Sequence, residues 1–230
     1  MLYLVPTPVG NLEDMTARSL RALKEAKAVY CEDTRRTRTL MSHFGISTPL
    51  LRYQEHDQKD AERLLARLQS GDDLALVSDG GLPCISDPGR LIVSMARKTG
   101  VSVTALPGAS AVVAAVAGSG LPGDSFVFLG FLPRTASKQR RLLTEAAALG
   151  RTIALYESPF RVVDLFTEIE TALGPSAQAC VVRELSKLHE EWLHGTVAEV
   201  KAELAGRKEH LGEFVVILHP DSEESHVRDH

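Results

Sequence analysis

Short apolar runs alternate along the chain with longer stretches in which apolar residues recur every three or four positions. The runs predict strands at Leu2–Pro6, Ala28–Cys31, Leu50–Tyr53, Leu74–Ser78, Val101–Ala105, Phe126–Phe131, Thr152–Tyr156, Ala179–Arg183 and Phe214–Leu218. The helical periodicity predicts Thr16–Ala26, Asp60–Gln69, Leu91–Lys98, Ser137–Leu149, Val162–Leu173 and Val197–Leu204. Thr34–His43 is a further helix, with Asp33 as N-cap and Gly45 as the stop. Strand–helix alternation of this kind predicts an α/β protein with mainly parallel sheets.

The alternation breaks at Gly118–Asp124, where three glycines and a proline fall together. Two α/β domains are therefore expected, residues 1–117 and 118–220. A polar tail, 221–230, follows Pro220 and is expected to be disordered.

Four segments follow predicted strands, where ligands bind in open α/β sheets. Pro6–Leu12 is a rigid loop with two prolines and a glycine. Ser78–Gly89 ends a strand on Asp79 and then places Gly80 and Gly81 where backbone must pass close to something. It is longer than a plain strand-to-helix turn requires, and Asp87-Pro88 suits the N-cap and first residue of the next helix. Leu106–Ala111 runs into small residues through Ala117, which serve either a ligand at a helix N-terminus or close helix–sheet packing. Tyr156–Arg161 sets Glu157 at a strand end, as a functional carboxylate or as a cap for the next helix.

Composition narrows the choices. The 230 residues are 44% hydrophobic and 24% charged, which excludes a disordered chain. The longest apolar stretches, such as Ala109–Ala117, are far shorter than a membrane span. No export signal is expected at the start, and three scattered cysteines without a C-x-x-C suit a reducing cytoplasm. Residues 1–117 carry a net +1 and 118–220 a net −2, so most of the overall −4 lies in the last ten residues. A near-neutral body leaves nucleic-acid contact to local clusters. One is Arg35, Arg36 and Arg38; the other is Arg134, Lys138, Arg140 and Arg141. The dinucleotide, P-loop and nucleophile-elbow motifs are missing, and His189 and His194 lack metal-ligand spacing.

Several segments carry a specific resemblance. They are Leu2–Asp14, Glu32-Asp33-Thr34-Arg35, Ser78–Gly89, Leu106-Pro107-Gly108, Tyr156-Glu157-Ser158-Pro159 and Arg183–Glu191. In this order, over roughly Leu2 to Leu218, they resemble the ribosomal RNA small subunit methyltransferase I family of the tetrapyrrole methylase superfamily. The chain departs from that family at Gly80-Gly81-Leu82-Pro83, where Ala-Gly-Thr-Pro is usual. It departs again at Phe160, usually His, and at Ser186, usually Thr. Leu82 removes a hydroxyl from the cofactor loop.

The resemblance implies an S-adenosylmethionine-dependent enzyme that methylates the ribose 2′-hydroxyl of a cytidine in the decoding region of 16S rRNA. It also implies two α/β domains with the cofactor in the cleft between them, and a homodimer acting on the small ribosomal subunit in the cytoplasm. By motif it assigns cofactor contacts to Pro8, Val9, Asp79, Gly80, Gly81, Leu82, Ser110 and Ala111, with Tyr156, Leu185 and Gly212 beside them.

A ribose hydroxyl is a poor nucleophile, and a positioned base helps its deprotonation. Glu32, Asp33, Glu157, Glu184, Lys187 and His189 are candidates for an active-site role, with Glu32, Glu184 and Lys187 preferred. Glu184 and Lys187 would share a face only if their segment were helical. Arg35, Arg36, Arg134 and Arg183 are candidates for RNA phosphate contacts. Two other readings stay open: a corrin-precursor methyltransferase of the same superfamily, and a non-catalytic cofactor-binding module associated with the ribosome.

Overall fold

The computed structural model describes residues 1–220, so the tail expected at 221–230 lies outside the described residues. The chain divides into two units, Met1–Ser110 and Ala111–His230.

The first unit holds β1 (Leu2–Val5), α1 (Ala17–Glu25), β2 (Ala28–Cys31), α2 (Thr34–His43), β3 (Leu50–Arg52), α3 (Gln58–Gln69), β4 (Leu74–Val77), α4 (Arg90–Lys98) and β5 (Val103–Ala105). Its sheet has the order β3-β2-β4-β1-β5, with every pairing parallel, as the alternation predicts. β2 and β4 are buried along their whole length, which only a sheet covered on both faces permits. Alternate residues sort the layers. Leu2, Leu4, Tyr30, Leu74 and Leu76 pack with Leu64 of α3 and Ile92 of α4. Val5, Val29, Cys31, Ala75 and Val77 pack with Leu23 of α1 and Met41 of α2.

The second unit holds α5 (Ala111–Gly118), β6 (Phe126–Phe131), α6 (Ala136–Ala147), β7 (Thr152–Glu157), α7 (Val162–Leu173), β8 (Gln178–Arg183), β9 (Glu191–Thr196), α8 (Val197–Ala205) and β10 (Phe214–His219). Its sheet runs β6-β7-β10-β8-β9. Here the expectation of parallel pairing fails. Only β6–β7 is parallel, while β7–β10, β10–β8 and β8–β9 are antiparallel. Two causes account for this. β9, which the apolar pattern does not announce, folds back on β8 through residues 184–190. β10 then enters between β7 and β8 from the opposite direction. Among the described residues, parallel pairs still outnumber antiparallel ones across both sheets. α5 packs its Val112, Ala115 and Val116 on one face of this sheet, while α6, α7 and α8 cover the other. The Gly/Pro-rich stretch 118–124, expected at the division, therefore lies inside the second unit.

Local signals explain most helix ends. Asp33 Oδ1 accepts from Arg35 N at 2.8 Å, capping α2 as predicted. α4 differs: it begins at Arg90 with Gly89 as N-cap, and Asp87 and Pro88 remain in the loop. Gly89 has φ +132, and a Cβ there would stand 2.7 Å from both Cys84 Sγ and Leu76 Cδ2. No L side chain fits, and glycine cannot cap through a side chain. Glu55 does so from outside the helix: Oε2 accepts from Gly89 N at 2.7 Å and Oε1 from Leu91 N at 3.0 Å. No helix among the described residues is long and apolar enough to cross a membrane.

Candidate active site

β1 and β4 are neighbours whose following helices, α1 and α4, pack on opposite faces of the sheet. Their carboxyl ends therefore define a switch point, the position where open α/β sheets leave a crevice for a ligand. The loops that leave these two strands clasp each other there. Thr7 N donates to Gly81 O at 2.9 Å, and Gly81 N to Thr7 O at 2.8 Å. Thr7 Oγ1 donates to Ser78 O, and Ser78 Oγ to Gly81 O. The third loop closes on the same clasp. A Cβ on Gly108 would come within 2.4 Å of Pro6 Cγ, and one on Gly81 within 3.8 Å of Ala109 O.

Beside the clasp lies a pocket of about 330 Å³, lined by Thr7, Pro8, Val9, Arg36, Ser78 and Asp79 among others. This is within the range of small-molecule sites. Pro8, Val9 and Asp79, which the resemblance assigns to the cofactor, line this pocket together. Gly80 and Gly81 keep the adjoining backbone free of side chains, and partly buried Leu82 follows. Cys84 and Ser86, farther along this loop, hold φ of +73° and +62°. Strained backbone of this kind persists where its surroundings impose it, and it clusters at functional sites.

The electrostatics are divided. Arg36 Nη1 lies 3.8 Å from Asp79 Oδ2, so a residue assigned to substrate and one assigned to cofactor meet on one pocket wall. Asp33 holds Arg35 at 3.4 Å, and the Arg35 side chain stays 89% exposed. Glu32 is exposed just past β2. Asp87 is different. Burial, with the like charges of Asp79 and Glu32, pushes its carboxyl up to about 6.

The second unit gathers a separate set of predicted residues. Ala111, Tyr156 and Leu185 pack against one apolar cluster with Trp192. Tyr156 Oη accepts from Val112 N at 3.2 Å, which ties the start of α5 to β7. Ser110 is partly buried immediately before α5. Gly212 has φ +98, and a Cβ on it would lie 2.6 Å from the Glu184 carboxylate. That clearance lets Glu184 Oε1 accept from Glu213 N at 2.9 Å.

Glu184 and Lys187 do meet, although no helix carries them. Glu184 and Ser186 adopt left-handed φ of +55° and +65°. The turn they shape brings Lys187 Nζ 2.8 Å from both Glu184 Oε1 and Glu213 Oε2. Burial alone would ease the Lys187 proton off, but the bonds to Glu184 and Glu213 outweigh it and raise the pKa. The bond from Lys187 holds Glu184 below its ordinary value. The raised pKa favours the charged form of Lys187, and its two ion pairs staple the turn to Glu213, just before β10.

Arg183 is similarly engaged, donating to Leu211 O at 2.6 Å and pairing with Glu191 at 3.3 Å. Arg134, the other predicted phosphate contact in this unit, stays exposed. Glu157 is buried. Its Oε1 accepts from Ser158 N, and its Oε2 has Arg161 as charge partner at 3.1 Å without a well-aligned hydrogen bond.

The sequence reasoning missed two residues of consequence. Glu55 follows a short strand and carries no periodic signal. Asp87 resembled a helix cap; only the packing of the loop reveals its altered proton affinity.

The family model for tetrapyrrole (corrin/porphyrin) methylases matches residues 1–201. A protein of Xylella fastidiosa named ribosomal RNA small subunit methyltransferase I is 44% identical over 94% of this chain and 80% of its own length. One of the same name from Thermotoga maritima is 41% identical over 94% of this chain and 97% of its own. Among solved structures, a diphthine synthase superposes with a TM-score of 0.75 at 16% identity, covering 96% of this chain and 90% of that one. A uroporphyrin-III C-methyltransferase from Thermus thermophilus, complexed with S-adenyl homocysteine, gives 0.63 at 21% identity, covering 94% and 96%. The switch-point pocket thus occurs in a chain that belongs to the ribosomal RNA small subunit methyltransferase I family of tetrapyrrole methylases.

Proposed function

We propose that this protein transfers a methyl group from S-adenosylmethionine to the ribose 2′-hydroxyl of a cytidine in the decoding region of 16S rRNA. The substrate in this reading is the small ribosomal subunit, and the enzyme works as a homodimer in the cytoplasm. The observation that carries it is the pocket at the carboxyl ends of β1 and β4, in a chain 44% identical to a protein named for rRNA small-subunit methylation.

The residues present suit the cofactor. The pocket wall combines the apolar Pro8 and Val9 with the Asp79 carboxylate, and the neighbouring glycines let a ligand approach the backbone. When bound, S-adenosylmethionine supplies an electrophilic methyl group, and the protein contributes orientation and exclusion of water. Glu32, exposed just past β2, is the carboxylate this reading assigns to the hydroxyl proton. Arg35 and Arg36 stand at the same sheet edge to meet phosphate. The Glu184–Lys187 pair holds its turn against Glu213.

The test is transfer of labelled methyl to small subunits from cells lacking this modification, with free 16S rRNA in parallel. Label confined to one cytidine ribose is expected. Label on neither substrate, with the cofactor still bound by calorimetry, would turn the search to corrin precursors or a non-catalytic role.

A further inference from the structure

Aromatic residues make up only 5% of the chain, yet several collect at one edge of the second sheet. The Tyr156 ring lies 5.0 Å from Phe128 and 5.5 Å from Phe131, tilted against both. Phe131 is nonetheless 58% exposed, and Phe160, just past β7, is 89% exposed. A single exposed ring is unremarkable, but these two flank one junction. Arg161 Nη2 donates to Leu132 O at 3.0 Å and to Pro133 O at 3.3 Å, and its guanidinium leans on the buried Glu157. The turn carrying Phe160 is thereby tied to the segment that follows Phe131.

The charge around this junction has one sign. From Ser125 to Thr144 the chain carries four cations and no carboxylate. Arg140 pairs with Glu168 and Arg141 approaches Glu145. Arg134 and Lys138 have no ion-pair partner among the described residues. A second copy docking this face on itself would set cations against cations. A polyanion with exposed ring faces suits it better. Single-stranded nucleic acid has that chemistry: bases stack on aromatic side chains while cations track the backbone.

We propose that Phe131 and Phe160 form a stacking platform for unpaired bases of the RNA substrate, with Arg134 and Lys138 holding the adjoining phosphates. The proposal rests on the rRNA reading above and deepens it by assigning substrate recognition to the second unit.

The experiment measures binding of the full chain to a single-stranded RNA oligonucleotide carrying 2-aminopurine, by anisotropy and by quenching of the base. Wild type is expected to bind and quench. Phe160→Ala and Phe131→Ala should each weaken binding about tenfold and relieve the quenching, and Phe160→Trp should restore both. Neither alanine change should alter the salt dependence, whereas each cation removed at Arg134 or Lys138 should lower its slope by about 0.7. Phenylalanine variants that bind and quench like wild type would overturn the platform, as would a wild type that does not bind. A shift of those variants to a smaller sedimenting species would assign the face to a second copy and overturn it equally. Methyl transfer to small subunits, run in parallel on wild type, decides the proposed reaction separately.

Discussion

Replacing Asp87 with Asn should stabilise the protein, and only above a definite pH. The folded pKa is about 6 against an ordinary 3.8, because burial and the charges of Asp79 and Glu32 disfavour the carboxylate. A folded pKa above the unfolded one favours folding below pH 4, and that advantage is lost as pH rises through 6. A difference of about 2 units corresponds to about 3 kcal/mol at pH 7. Asp87 is partly exposed, and solvent screening trims the figure to about 1–2 kcal/mol. Asn keeps the shape without the charge, and no hydrogen bond to the Asp87 side chain is lost among the described residues. Asp87→Asn should match wild type at pH 4, gain between pH 4 and 6, and stay about 4 °C higher in Tm above pH 7. Thermal unfolding by circular dichroism across pH 4–8 reads this directly. Adding Asp79→Asn should shrink the gain, since a like charge is gone. A difference that does not grow with pH, or a variant less stable at pH 7, refutes the reasoning.

Two further outcomes follow from the loops. Gly108→Ala puts a methyl 2.4 Å from the rigid ring of Pro6; denaturant unfolding should show a loss of about 1–3 kcal/mol, and calorimetry a weaker hold on S-adenosylmethionine. Glu55→Ala removes the acceptor for Gly89 N, Leu91 N and the Tyr53 hydroxyl and should cost about 2–3 kcal/mol; wild-type stability in that variant would mean that water caps α4 equally well.

The parts legible in the sequence were those fixed by local rules. Thr34–His43 is helical from end to end because Asp33 and Gly45 punctuate it. The loops after β1 and β4 stood out because proline and glycine restrict backbone locally, and they meet at one pocket. What could not be read depends on distant partners. β9 carries Glu191, His194 and Thr196 on an edge strand, so its pairing with β8 supplies the order that its own pattern lacks. α4 starts at Arg90 because Glu55, 34 residues earlier, reaches Gly89 N. Glu184 and Lys187 meet through left-handed backbone and the clearance at Gly212, which no spacing rule anticipates.

The order of the first sheet sets a schedule for making it. β1 lies between β4 and β5, pairing Leu2 with Leu74 and with Val103. A chain synthesised from its amino end therefore presents β1 some seventy residues before its first neighbour exists. At translation speeds of about 5–20 residues per second, that interval is about 4–14 s. Throughout it, Leu2, Leu4 and Val5, all buried in the finished sheet, have no strand to pair with. Early chaperone contact at this segment, and slow closure governed by long-range pairing, are the consequences of placing the earliest strand in the interior of its sheet.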